Sequence, residues 1–189
     1  AYDAGRSEQF AFEYTPDAIK SDLLRYSHLD PWLHTYGGMQ YPPEGRKTWG
    51  LFADASPDRW GRMLMKRRHE RERRGDASLQ RSLFESDYLL GVHDQYRVGA
   101  LRLRLHEDGP FLDCRDQLGA PPLIKLRELE AAARSVESDE QIDAPRENEW
   151  IKMLIAPGGS LGGARPKASV VTPEGQLMIA KFPSVHDEI

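Results

Sequence analysis

The chain has 189 residues, of which 39% are hydrophobic and 30% charged, a mix that excludes a disordered chain. Its apolar runs, such as Met153-Leu154-Ile155-Ala156, are far shorter than the ~18 residues a membrane helix needs, so no membrane partner is expected. With 26 basic and 30 acidic residues the net charge is −4, which argues against a general nucleic-acid binder.

Phe10, Phe12 and Tyr14 alternate with Ala11 and Glu13, the period of a half-buried strand, and Thr15-Pro16-Asp17 is expected to break it. Gly37-Gly38 and Tyr41-Pro42-Pro43-Glu44-Gly45 are turn material. A helix is predicted over residues 56–74, with Ser56 as N-cap, Pro57 at the first helical position and Asp58 complementing the positive end of the dipole. Trp60, Met63 and Leu64 share one of its faces, and Gly75 ends it. A second helix is predicted over 79–90, with Leu79, Leu83, Leu89 and Leu90 as core positions and Gly91 as the stop.

Residues 98–105 alternate as a strand, with Leu101, Leu103 and Leu105 on one side and Arg102 and Arg104 on the other. Residues 123–136 form an amphipathic helix, with Leu126, Leu129, Ala133 and Val136 inward. An acidic stretch containing Pro145 then marks a boundary between two lobes. Beyond a short helix at 147–155 lies a glycine-rich loop, residues 156–164. Strands at 167–171 and 176–182 are joined by Thr172-Pro173-Glu174-Gly175, a hairpin signal.

Cys114 is the only cysteine, which excludes an intramolecular disulfide and suits a reducing cytoplasm, the expected location. Residues 1–13 carry no basic-then-apolar secretory pattern. His28, His34, His69, His93, His106 and His186 are scattered without ligand spacing, so they read as surface or turn residues and no metal site is expected within the chain. Trp32, Trp49, Trp60 and Trp150 read as core anchors.

The glycine-rich loop and two lysines carry the chemistry. Glycines let several backbone N–H groups converge on one point, a nest that favours phosphate. Lys167 follows the loop at once, and Lys181 lies on the second hairpin strand within Met178-Ile179-Ala180-Lys181-Phe182. In protein kinases a glycine-rich loop followed by a strand lysine grips ATP. The spelling fits neither the Walker A nor the kinase Gly-x-Gly-x-x-Gly pattern, so spacing alone leaves a plain tight loop and a solvated edge-strand lysine open. Gly158-Gly159-Ser160-Leu161-Gly162 matches Gly-x-Ser-x-Gly, but a hydrolase elbow needs a strand before the serine and a helix after it, and neither is expected here.

Ser160-Leu161-Gly162-Gly163-Ala164-Arg165-Pro166-Lys167-Ala168, followed by Ile179-Ala180-Lys181-Phe182-Pro183-Ser184, resembles the loop and strand of HipA-like serine/threonine kinase toxins. Upstream, residues 54–62, with Ser56-Pro57-Asp58-Arg59-Trp60-Gly61-Arg62, resemble a helix start of that family, and Asp87-Tyr88-Leu89-Leu90-Gly91-Val92 and Arg97-Val98-Gly99-Ala100-Leu101 follow its order. The resemblance runs from about Phe10 to Ser184. It implies that Gly162, Gly163, Ala164, Arg165, Pro166 and Lys167 line the ATP phosphates, that Lys181 contacts the α and β phosphates, and that Ser160 is autophosphorylated. A phosphoserine there adds roughly −1.5 to −2 charge and would switch the kinase off.

The resemblance further implies transfer of the ATP γ-phosphate to a protein serine. The partners it implies are a small DNA-binding, HipB-like antitoxin and, for some members, an aminoacyl-tRNA synthetase as substrate. DNA would be reached only through the antitoxin. The catalytic residues and the Mg2+ ligands of such kinases are expected downstream of Ile189, so the chain alone is expected to be inactive. The expected architecture is α+β, with a mixed N-terminal lobe over residues 1–140 and, over 141–189, the first hairpin of a kinase-like ATP lobe. The alternative is a non-catalytic docking module for an antitoxin or DNA. Arg62, Lys66, Arg67, Arg68, Arg71, Arg73 and Arg74 form its basic block, although Glu70 and Glu72 at helical spacing favour a solvated face.

Overall fold

A computed structural model describes residues 2–3, 8–22, 24, 29–75, 81–94, 97, 99–112, 121–138, 150–151, 153–154 and 163–187. The protein is mixed α+β. Strands β1 (Tyr2–Asp3) and β2 (Glu8–Gln9) pair antiparallel, with Tyr2 opposite Gln9. Helices α1 (Pro16–Lys20), α2 (Gly50–Asp54), α3 (Arg59–Gly75), α4 (Glu85–Leu90) and α5 (Leu126–Ser138) follow, the last entered through a 3-10 turn at Leu123–Lys125. Strands β3 (Lys167–Val171) and β4 (Leu177–Lys181) form an antiparallel hairpin. No helix among the described residues is long and apolar enough to cross a membrane.

Residues 10–14 keep the alternation of a strand, since Phe10, Phe12 and Tyr14 turn inward, but they form only one bridge, between Phe12 and Gln40. The Phe10 and Phe12 rings pack on Trp49 and Phe52, and Tyr14 meets Phe12 edge-on at 4.7 Å. The Thr15-Pro16-Asp17 segment, expected as a simple break, starts α1: the Thr15 hydroxyl accepts the Ala18 N–H and proline suits the first turn. Asp30 is buried and holds the start of α2, accepting the Leu51 N–H at 2.9 Å. Trp49, Leu33, Phe52, Ala55 and Leu89 make a small core there, with Leu101 and Leu103 packed against it.

Helix α3 begins three residues after the predicted N-cap. The Ser56 hydroxyl donates to the Phe52 carbonyl at 2.7 Å, so it closes the end of α2 and does not cap α3. Asp58 takes that place: its carbonyl accepts from Arg62 N at 2.8 Å and its Oδ1 accepts from Gly61 N at 2.9 Å. One face of α3 buries Trp60, Leu64 and Met65. The opposite face carries the basic block, with ion pairs from Lys66 to Glu70 and from Arg68 to Glu72.

The second predicted helix is shorter than expected: only 85–90 are helical, and Leu79 lies outside the described residues. Two carboxylates explain why it starts at Glu85. Asp87 accepts the Phe84 N–H at 2.8 Å, while Glu8 accepts the Glu85 and Ser86 N–H groups at 2.8 and 3.0 Å. Leu89 is buried and Leu90 is exposed; Gly91 caps the end as expected. Arg97 is buried and donates to the carbonyls of Ala55, Leu89 and Val92 at 2.8, 2.8 and 3.0 Å, joining the ends of α2 and α4.

The strand expected over 98–105 does not form among the described residues. Leu101 and Leu103 pack inward, but the segment has no ladder: one bond from Leu112 N to Leu103 O, 2.7 Å, is its backbone partner. Leu105 is exposed, and Arg102 pairs with Asp94 while lying 3.5 Å from the Phe111 ring centre.

In α5 the buried positions are Leu129, Ala132, Ala133 and Val136; Leu126, expected inward, is exposed in the first turn. These side chains meet Trp60, Leu64 and Met65 of α3, Ile151 and Leu154 from a helical segment, and Ala168, Val170 and Phe182 of the hairpin. One core therefore draws residues from both sides of position 140. Two other expectations need correction: Trp32 is exposed, because it lies in a turn capped by Asp30, and His93 is buried.

Candidate functional site

The hairpin forms where the sequence predicts it. Gly175, at φ 81°, supplies the left-handed turn position, and Thr172 closes the turn by bonding Gln176 through both its backbone and its hydroxyl. The register sets Lys167 opposite Lys181, Ala168 opposite Ala180 and Val170 opposite Met178. Ala168 and Val170 face the core, and on the same strand Lys167 and Ser169 are also buried.

Lys167 is the best-positioned side chain of the site. It is 2% exposed, and its ammonium donates to Asp58 Oδ2 and to the Gly163 carbonyl, both at 2.8 Å. A buried ammonium without partners would be costly, so both contacts are required for the residue to sit there. Trp60 adds a third tie, its indole N–H donating to the Lys167 carbonyl at 3.0 Å. Asp58 serves two purposes, one oxygen on the α3 terminus and the other on Lys167.

Ser160, Leu161 and Gly162 lie outside the described residues. Gly163 has φ 107°, a conformation that favours glycine, and it is exposed along with Ala164 and Arg165. Arg165 pairs with Asp187 at 2.9 Å. Pro166 is buried, and its carbonyl accepts the Phe182 N–H at 2.9 Å, extending the pairing of the two strands by one step. Lys181 is exposed, and among the described residues it makes no ion pair. The structure thus separates the two lysines: Lys167 is spent on internal contacts, while Lys181, directly across the ladder, presents its charge to solvent.

Glu137 is a further contact that sequence patterning did not single out. From the end of α5 it accepts the Ser184 hydroxyl at 2.6 Å and the Val185 N–H at 2.7 Å, fixing the chain just beyond β4. His186 and Asp187 close a turn in which Asp187 accepts the Ser184 N–H at 3.0 Å. A cavity of about 550 Å³ is lined by Ser56, Pro57, Asp58, Gly99, Ala100 and Leu101, among others; Gly163, Lys167 and Lys181 do not line it.

Within the basic block Arg62 is held by α4. It grips Glu85 in a two-pronged pair at 3.1 and 2.7 Å, and its guanidinium lies 4.6 Å from the Tyr88 ring centre. The Arg62 hydrogen bonds bring the Glu85 carboxyl below its ordinary range, against the opposing effect of burial. Burial raises Asp87, but the Arg81 and Phe84 hydrogen bonds outweigh it and leave that carboxyl lowered as well.

No three His, Cys, Asp or Glu side chains gather as a metal site among the described residues. No family model, curated protein or solved structure matches the chain.

Proposed function

We propose that the chain is the N-terminal portion of a HipA-like serine/threonine kinase that transfers the ATP γ-phosphate to a protein serine. One observation carries the reading. The block with the most specific resemblance, the loop-and-lysine block at 160–168, and the helix-start block at 54–62 meet through Asp58, Trp60 and Lys167. A chance resemblance in either block gives no reason for its partner to be its neighbour in space.

In this reading the backbone around Gly163, Ala164 and Arg165 faces the nucleotide phosphates, and Lys181 supplies the free positive charge. Ser160 and Gly162 enter through the resemblance alone. In this reading the Mg2+ ligands and catalytic residues would follow the lysine strand, as the resemblance implies. The finer fold assignment, a kinase-like ATP lobe begun by β3 and β4, is part of the same proposal, as are the antitoxin and aminoacyl-tRNA synthetase partners and the cytoplasmic location.

The test is the intact mass of the full-length protein after incubation with Mg-ATP, beside Ser160→Ala and Lys181→Ala. One added phosphate that maps to Ser160 and is lost in both variants is the expected result. An unchanged wild-type mass together with no nucleotide binding would remove the kinase reading. The second reading, a docking module, has its own support in β4, where Leu177, Met178 and Ile179 are each about half exposed (52%, 49% and 54%).

A further inference from the structure

Asp58 lies on a different element from the glycine-rich loop, yet it reaches the loop's exit through Lys167. The Lys167 ammonium accepts no other role in this arrangement: it is buried, and its two contacts are the Asp58 carboxylate and the Gly163 carbonyl. Gly163 sits at φ 107°, a backbone conformation that favours glycine, and a Cβ built on it would make only ordinary contact with that ammonium at 3.7 Å. The ladder adds an electrostatic reason for the pair. Lys167 and Lys181 are directly opposed, and like charges in that relation repel. With the Lys167 charge balanced by Asp58, Lys181 remains as the exposed cation of the ladder.

We infer that Asp58 is a positioning residue of the nucleotide site: through Lys167 it fixes Gly163, and it leaves phosphate contact to the backbone of Gly163, Ala164 and Arg165 and to Lys181. This rests on the proposed kinase reading. It also reassigns Lys167, which holds the loop from behind and does not meet the phosphates. Asp58 acts at a distance from the ligand, so its loss changes loop geometry before it changes charge at the site.

The test uses Asp58→Asn, which keeps a capping oxygen for α3 while removing the charge, with Asp58→Glu as the conservative rescue and Lys181→Ala as the contrast. Two quantities are read: amide exchange over residues 163–168, and affinity for Mg-ATP. Asp58→Asn is expected to speed exchange at 163–168 without changing it at 129–136, and to weaken Mg-ATP by about tenfold, which is about 1.4 kcal/mol of binding free energy. Asp58→Glu recovers part of both, and Lys181→Ala weakens the nucleotide while leaving exchange unchanged. Unaltered exchange at 163–168 in Asp58→Asn overturns the inference, as does unaltered affinity. Wild-type protein that binds no Mg-ATP retires the kinase reading, and the exchange arm still decides whether Asp58 holds the loop. Should Asp58→Asn fail to fold, Lys167→Met tests the same tie from its other end, with faster exchange at 163–168 expected and unchanged exchange contradicting it.

Discussion

Asp58 and Lys167, 109 residues apart in sequence, form a buried ion pair of 2.8 Å that joins the first turn of α3 to the first residue of β3. Their side chains are 11% and 2% exposed, so the Lys167 ammonium has almost no access to water as an alternative partner, and the Asp58 carboxylate has little. Removing one partner leaves the other charge stranded, at a cost of about 3–5 kcal/mol for a buried pair. Asp58→Ala is therefore expected to lower the unfolding free energy in urea by that amount. The double variant with Lys167→Met is expected to be more stable than Asp58→Ala alone, because the stranded ammonium is gone. Additive losses in the double variant would contradict the pairing.

Trp60 tests the same junction without touching charge. Its indole N–H donates to the Lys167 carbonyl at 3.0 Å inside the main core. Trp60→Phe deletes the donor, leaves a buried carbonyl without it and reduces the filled volume. About 2 kcal/mol of destabilisation is expected from urea unfolding. A loss smaller than a few tenths would mean that the carbonyl finds water.

Arg97 joins the ends of two short helices through three carbonyls, those of Ala55, Leu89 and Val92. Cations at helix C-termini are favoured by the helix dipole, and carbonyls left unpaired in the interior are costly. Arg97→Met is expected to destabilise the protein by about 3 kcal/mol or more and to loosen α2 and α4 together in amide exchange. Arg97→Lys rescues little, because one ammonium cannot reproduce the planar fork.

Glu85 gives the fold a pH dependence whose sign follows from its pair with Arg62. The carboxyl titrates below its ordinary value of 4.5, held down first by the Arg62 hydrogen bonds, with the charges of Arg62 and Lys47 adding to them. Its stabilising contribution is complete above that ordinary value and disappears as pH falls through the lowered folded-state value. Glu85→Gln should therefore be less stable than wild type at neutral pH, with the gap closing as pH falls through the lowered folded-state value. A gap that persists in acid would show that shape, and not charge, makes the contact.

The parts legible in the sequence were those governed by local chemistry. The hairpin followed from alternating residues around a four-residue turn with glycine last, and the buried face of α5 followed from helical spacing. Helix α3 was legible apart from its start, because Ser56 and Asp58 are both good caps and only tertiary structure decides which is free to act. The segment 99–105 alternates like a strand, but alternation does not provide a partner, and the chain runs there without a ladder. For the same reason the lysines looked alike in sequence. Nothing near Lys167 says that Asp58 waits beside it, and spacing alone left Lys181 open between a nucleotide contact and a solvated edge-strand position. Glu137 and Glu8 act on Ser184 and Glu85 across 47 and 77 residues, beyond the reach of any spacing rule.

Calorimetric titration of the full-length protein with Mg-ATP, beside Lys181→Ala, tests the central claim most directly. Saturable binding by the wild type that is lost or much weakened in Lys181→Ala is the outcome expected of a nucleotide site built from the glycine loop and the exposed strand lysine. Equal binding by both proteins, or no heat from either when amide exchange reports both as folded, would contradict it.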